Sequence, residues 1–289
     1  MNVLVACEES QRVCTEFRKL GHNAFSCDIE PCSGGHPEWH IMQDVLPLIN
    51  GNCEFKTMDG QAHKIEGKWD LLIAFPPCTY LSNAGACRLY PKKGQLNEER
   101  YKKGIEAKEF FLKFLNADCA KIAVENPVSS RIYEMPKHTQ EIQPWQFGHP
   151  VTKKTRLWLR NLPLLISTNV VEPKAPYVPS CTSKKDKSKY GIAKRGGDAK
   201  NRSKTFPGIA KAMAEQWGGL IMAEYDDKCV DLNYTEADLD YRAEYKRLKD
   251  ENEKLKEEIC WYKNSLFEME KMRAQLDIVR LIFGGSSNG

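Results

Sequence analysis

Apolar and polar positions alternate along the first two thirds of the chain as short apolar runs divided by longer mixed stretches. Leu71 to Phe75 is one such run, bounded by Gly67 before it and by Pro76-Pro77 after it. That is the pattern of an inner strand of a parallel sheet. The prolines end it, because neither carries the N–H that a ladder needs. Asn2 to Ala6, Asn23 to Cys27, Ile122 to Val124 and Thr155 to Arg160 predict further strands. Between the first two, Ser10 to Leu20 predicts a helix with Ser10 as N-cap and Gly21 as its stop. Glu99 to Leu115 has the spacing of an amphipathic helix, and Phe206 to Leu220 predicts another that begins at Pro207. Glu54–Thr57 and His63–Glu66 flank Asp59-Gly60 and predict a small hairpin. Strands alternating with helices give an α/β fold.

Three of the apolar runs end in a group with chemistry: Asp28, Cys78 and Glu125. Gln43-Asp44 makes a fourth polar tip. In one parallel sheet these tips share the crevice at the carboxyl ends, where open α/β sheets bind ligands. An acid at the end of the second strand suits a ribose hydroxyl pair, although a turn or capping Asp fits the same position. A cysteine after a strand is equally the pattern of a buried loop thiol. With Glu125 on a neighbouring tip, the set suits covalent catalysis: a thiolate attacks while a carboxylic acid protonates the electrophile.

The pattern changes at Asp238. Tyr245, Asn252, Ile259 and Leu266 occupy a positions of a heptad, with Leu248, Leu255, Tyr262 and Met269 at d. Asn252 is the kind of polar a residue that fixes a two-stranded register. Glu244, Glu251 and Glu258 at g face Lys249, Lys256 and Lys263 at e of a parallel partner. A homodimeric coiled coil over 238–283 is the expectation, with a linker over 223–237. A single amphipathic helix packed on the first domain is the alternative.

The composition is that of an ordinary soluble domain: 289 residues, 41% hydrophobic and 28% charged, with net charge +4. No apolar run is long enough to span a bilayer, and no signal peptide is evident, so no membrane is expected. Eleven cysteines without zinc-type spacing suggest free thiols and a cytoplasmic setting. His36-Pro37-Glu38-Trp39-His40 lacks the further ligands of a metal site, so a polar loop and no metal are expected. The positive charge concentrates between 161 and 204. Lys184, Lys185, Lys194, Arg195 and Arg202 stand there among glycines, as a phosphate-contacting loop or a solvated one.

Pro76-Pro77-Cys78, Glu125-Asn126-Pro127 and Lys154-Thr155-Arg156 occur in the order of the signature motifs of DNA (cytosine-5) methyltransferases. Asn201 to Gly219 is similar to that family's final motif, and the chain most resembles its short, phage-type members over about residues 1–222. The resemblance implies a Rossmann-like S-adenosylmethionine-dependent sheet with a reduced target-recognition region. It implies transfer of a methyl group to carbon 5 of cytosine in a flipped-out DNA base, in the cytoplasm of a bacterial or phage-infected cell. Cys78 would be the nucleophile and Glu125 the contact to the base ring nitrogen. Arg156, and Lys154 in place of an arginine, would fix the base. Ala6, Cys7, Glu8, Asp28, Ile29, Asp44, Val45, Pro76 and Thr205 would line the cofactor. Ser82 and the basic residues of 184–202 would meet DNA.

The family's first motif is glycine-rich, whereas this chain reads Ala6-Cys7-Glu8-Glu9-Ser10-Gln11. Glu8, Glu9 or Ser10 is then left to meet the cofactor's ammonium. Thr152 stands for the family's glutamine and Pro127 for its valine. The same residues also suit cytosine in RNA or in a free nucleotide. A DNA-binding protein with little catalysis is the rival from another class.

Overall fold

In the first strand, β1 (Asn2–Ala6), Val3 and Val5 turn to one side and Leu4 and Ala6 to the other, and all four are buried. A strand can bury both faces only in the middle of a sheet covered on both sides. The computed structural model describes residues 1–177, 203–219 and position 254, and shows this arrangement. After β1 come α1 (Arg12–Lys19), β2 (Asn23–Asp28), β3 (His40–Met42), β4 (Cys53–Lys56), β5 (Ala62–Ile65) and β6 (Leu71–Ala74). Next are α2 (Ala86–Leu89), α3 (Glu98–Leu115), β7 (Lys121–Pro127), β8 (Gln140–Ile142), β9 (Val151–Thr152), β10 (Thr155–Arg160) and β11 (Ala175–Pro176). Helix α4 (Pro207–Met213) continues as a π-helical turn, Ala214–Gly218.

Seven strands form one sheet in the order β3-β2-β1-β6-β7-β10-β8. The first five are parallel to one another, and β10 runs antiparallel to both β7 and β8. Strand order reverses between β1 and β6, which makes that the switch point of the sheet. β4 and β5 pair as a separate hairpin, with Phe55 opposite His63.

Two apolar layers follow from the strand alternation. Leu4, Phe25, Leu72, Val124 and Trp158 pack with Phe111 and Phe114 of α3 on one face. Val5, Ile73, Ala123 and Leu157 pack with Phe17 of α1 and Ile209 and Met213 of α4 on the other.

One local expectation is corrected. Helix α1 begins at Arg12, and Ser10 does not cap it. The Glu8 carboxylate does so instead, accepting from the backbone N–H groups of Val13 at 2.7 Å and Cys14 at 3.2 Å. A negative group on those donors also suits the positive end of the helix dipole.

The chain divides into two units, Met1–Ala223 and Glu224–Gly289. The predicted linker and coiled coil lie outside the described residues apart from Lys254, and so does most of the basic segment, including Lys184, Lys185, Lys194, Arg195 and Arg202. Among the described residues, no helix is long and apolar enough to cross a membrane.

Candidate active site

The carboxyl ends of β1, β2, β3, β6 and β7 open into one cleft of about 1030 Å³ at the switch point. Each parallel strand delivers its residues in turn: Cys7 to Ser10 after β1, Asp28 to Glu30 at β2, Gln43 to Val45 after β3, Phe75 to Thr79 after β6, and Glu125 with Pro127 at β7. The expected convergence of Asp28, Cys78 and Glu125 is therefore observed. Ile29, Asp44, Val45, Pro76, Ser82, Lys154 and Thr205 also line the cleft.

The loop carrying Cys78 is braced on three sides. The Ser82 N–H donates to the Cys78 carbonyl at 2.8 Å and closes a turn. Arg100 Nη2 donates to the Thr79 carbonyl at 2.6 Å. Asn126 Nδ2 donates to the Pro76 carbonyl at 3.2 Å, joining this loop to the one that bears Glu125. Ser82 itself caps the short turn after it, accepting from the Ala84 N–H at 3.2 Å.

Electrostatics tie Cys78 to Glu125. Burial raises the Cys78 thiol above its ordinary range, and the Glu125 charge raises it further, while Lys153 opposes both. Burial likewise raises Glu125, against Lys153 and a hydrogen bond from Thr155. The carboxyl thus keeps its proton to a higher pH than an exposed glutamate does, as a proton donor requires.

Lys153 is the cation missed in the sequence. Its backbone N–H is held by Gln143 Oε1 at 2.9 Å, and its ammonium lies 5.9 Å from the centre of the Phe206 ring. Its neighbour Lys154, the cation that the motif resemblance implies, lines the cleft but is ion-paired to Glu141 at 3.0 Å.

Arg156 is not brought into the cleft. It lies opposite Asn126 and Glu141 in the ladder, so it shares their sheet face and not that of Glu125, and its Nε donates to Glu141 Oε1 at 2.9 Å. Ala6 is fully buried within the sheet, where its carbonyl accepts from the Phe75 N–H.

No family model matches this chain, and no curated protein sequence does. Solved structures that resemble it distantly include two methyltransferases. One is described as a candidate DNA modification methyltransferase encoded within a prophage (E. coli), with 10% identity and a TM-score of 0.35, the match covering 60% of this chain and 52% of that one. The other is the methyltransferase EhMeth of Entamoeba histolytica, with 12% identity and a TM-score of 0.31, covering 64% of this chain and 62% of that one. The chain thus spans less than two thirds of either structure, and the chemistry of the site rests on its own residues.

Those residues fit the cofactor that the motif resemblance implies. The carboxylates of Asp28 and Asp44 offer acceptors for hydroxyls and an amine, beside Ile29, which is 77% exposed, and Val45. Burial raises Asp28, whose carboxylate accepts from the Glu30 N–H at 3.0 Å and is thereby held at the cleft edge. Both carboxylate oxygens of Glu9 are buried and have no hydrogen-bond partner among the described residues.

The loop from β1 to α1 manages without glycine by straining two other residues. Cys7 and Gln11 both adopt left-handed backbone conformations, with φ of 58° and 56°. Gln11 is held there by donating to the His36 carbonyl at 2.7 Å and accepting from the His36 N–H at 3.1 Å.

The histidines read as a polar loop have different surroundings. His40 is buried in β3, its Nδ1 2.9 Å from Ser26 Oγ, and its Nε2 donates to the Glu30 carbonyl at 2.9 Å. Among the described residues, no cluster of three or more metal-ligating side chains is present.

Proposed function

We propose that this chain transfers a methyl group from S-adenosylmethionine to carbon 5 of cytosine in DNA. The observation that carries the reading is the meeting of Cys78 and Glu125 at the ends of adjacent parallel strands, in the same cleft as Asp28 and Asp44.

Bound in the cleft, the cofactor supplies an electrophilic methyl group. Asp28, Ile29, Asp44, Val45, Pro76 and Thr205 form its half of the site. In the other half, the Cys78 thiolate adds to carbon 6 of the ring while Glu125 gives a proton to ring nitrogen 3. Carbon 5 becomes the nucleophilic end of an enamine and would take the methyl group as its bond to the cofactor's sulfonium sulfur breaks, leaving a neutral thioether. Solvent water takes the carbon-5 proton, the electrons of that C–H bond expel the Cys78 thiolate, and ring nitrogen 3 returns its proton to Glu125, which restores the neutral aromatic ring. Lys153 offsets the negative charge of the Cys78 thiolate before it adds and of the Glu125 carboxylate once its proton is given. The target carbon is stacked within duplex DNA, so the base must leave the helix, at a cost of about a few kcal/mol. The basic segment, 184–202, supplies phosphate contacts, which position the duplex without reading its sequence.

The test is direct. The protein is incubated with S-adenosylmethionine and unmethylated duplex DNA of mixed sequence, and 5-methyldeoxycytidine is measured by mass spectrometry after digestion. Product that disappears in Cys78→Ala supports the reaction and its nucleophile. Product that persists in that variant, or none from the native chain on any cytosine-rich duplex, rejects the proposal.

A further inference from the structure

We propose that Glu9 and Lys204 together form a receptor for an α-amino-acid zwitterion, Glu9 taking the ammonium and Lys204 the carboxylate of the cofactor's methionine end. This rests on the methyl-transfer reading above and deepens it where the sequence left Glu8, Glu9 and Ser10 as alternatives for the ammonium and named no group for the carboxylate.

The two side chains carry opposite charges, both line the cleft, and they are only 12% and 17% exposed. Yet they do not satisfy one another. Lys204 Nζ lies 3.9 Å from Glu9 Oε1, beyond hydrogen-bond reach. Lys204 instead donates to Ser33 Oγ at 3.0 Å, and neither oxygen of Glu9 has a donor among the described residues. A buried carboxylate left without donors is costly, and a cation that stops short recovers only part of that cost. A ligand with an ammonium and a carboxylate on one carbon supplies what each side chain lacks.

The backbone holds this pair in place. The Ser33 N–H donates to the Glu9 carbonyl at 2.8 Å, and Arg12 Nη1 donates to the carbonyl of Thr205, next to Lys204, at 2.6 Å. Of the three polar residues in this loop that could meet an ammonium, Glu8 is engaged with the first turn of α1. Glu9 also sits directly beyond β1, at the switch point. A glycine-rich loop would bring its backbone close to the ligand. Here the left-handed Cys7 makes the turn, and side-chain charge does the recognition.

Calorimetry on the full chain tests this with three probes: S-adenosylmethionine, decarboxylated S-adenosylmethionine, which keeps the amine, and 5′-methylthioadenosine, which lacks the amino-acid end. The native protein should prefer S-adenosylmethionine over methylthioadenosine by about tenfold or more. Glu9→Gln should weaken both amine-bearing probes by about tenfold and leave methylthioadenosine unchanged. Lys204→Met should weaken S-adenosylmethionine alone. Unchanged methylthioadenosine binding shows that a variant is folded. Should Glu9→Gln lose it, the native probe preferences and Lys204→Met decide. A native protein that binds all three probes equally, or variants that bind S-adenosylmethionine as the native chain does, overturn the receptor and leave the cofactor reading standing. A native protein that binds none of the three overturns the methyl-transfer reading itself.

Discussion

The side chain of Asn126, wholly buried, donates from Nδ2 to the Pro76 carbonyl at 3.2 Å and so ties the strand end that bears Glu125 to the turn that bears Cys78. The two groups proposed to act on opposite sides of one ring are thus fixed relative to each other by a single amide. Asn126→Ala should cost about 1–3 kcal/mol in urea denaturation, because it leaves a buried carbonyl without its donor. It should also slow methyl transfer while S-adenosylmethionine affinity stays near that of the native protein. An affinity loss as large as the rate loss would show that the brace serves the cofactor half instead.

Coupling between Cys78 and Glu125 is measurable without substrate. The negative charge of Glu125 holds the thiol up and Lys153 pulls it down. Glu125→Gln should therefore lower the Cys78 pKa and speed its alkylation by iodoacetamide at about pH 8, where the thiolate fraction limits the rate. Lys153→Met should do the reverse. Peptide mass spectrometry of Cys78 across a pH series gives both curves, and identical curves for the two variants would disprove the coupling.

Stability should depend on pH through two groups of opposite sign. His149 Nε2 accepts the Gly208 N–H at 3.0 Å, near the start of α4, and burial and Arg12 lower its pKa. The folded state thus resists protonating it. Its contribution is complete above the ordinary histidine range, near pH 6.5, and is lost as pH falls through the lowered value. Glu8 is the reverse case, since burial raises it to about 7. What Glu8 contributes is complete below the ordinary glutamate range, near pH 4.3, and is lost as pH rises through 7. Melting temperatures between about pH 5 and 8 should therefore fall less steeply toward acid in His149→Gln than in the native protein, and fall less toward neutral pH in Glu8→Gln. Parallel curves for all three proteins would contradict this assignment.

The left-handed conformation at Cys7 makes its own prediction. A β-branched side chain is poorly tolerated at φ 58°. Cys7→Val should cost about 2 kcal/mol in thermal or chemical denaturation. Cys7→Gly should stay within about 1 kcal/mol of the native protein, since relief of strain offsets the lost packing. Equal losses in the two variants would mean that the backbone relaxes away from this geometry.

Much of this architecture could be read from the chain because its strands are dense apolar runs punctuated by glycine and proline. Leu71–Ala74 ends where Pro76-Pro77 requires, and Gly21 takes a φ of 79° just after α1. The meeting of Asp28, Cys78 and Glu125 was legible for the same reason, since parallel strands present their carboxyl ends on one edge. What escaped depends on partners distant in sequence or on one-residue placement. Glu8 does line the cleft, but its carboxylate is spent on the first turn of α1, which the sequence alone does not show. Arg156 looks like a base contact until the three-residue strand β8, too short to stand out, sets Glu141 opposite it. Lys153 and Lys154 differ by one position, and the sequence offers no reason to prefer the one that acts on Cys78.

Strand β10 runs against its neighbour β7, so its beginning meets the edge where the parallel strands finish. Residues that precede a strand thereby enter a site otherwise made of residues that follow strands. The cations Lys153 and Lys154 arrive by that second entrance, from a connection that carries no part of the parallel framework. Substitutions in that connection can therefore retune the charge around the thiol while the sheet and its four polar tips stay untouched, which gives the fold separate handles on its reactivity and its shape.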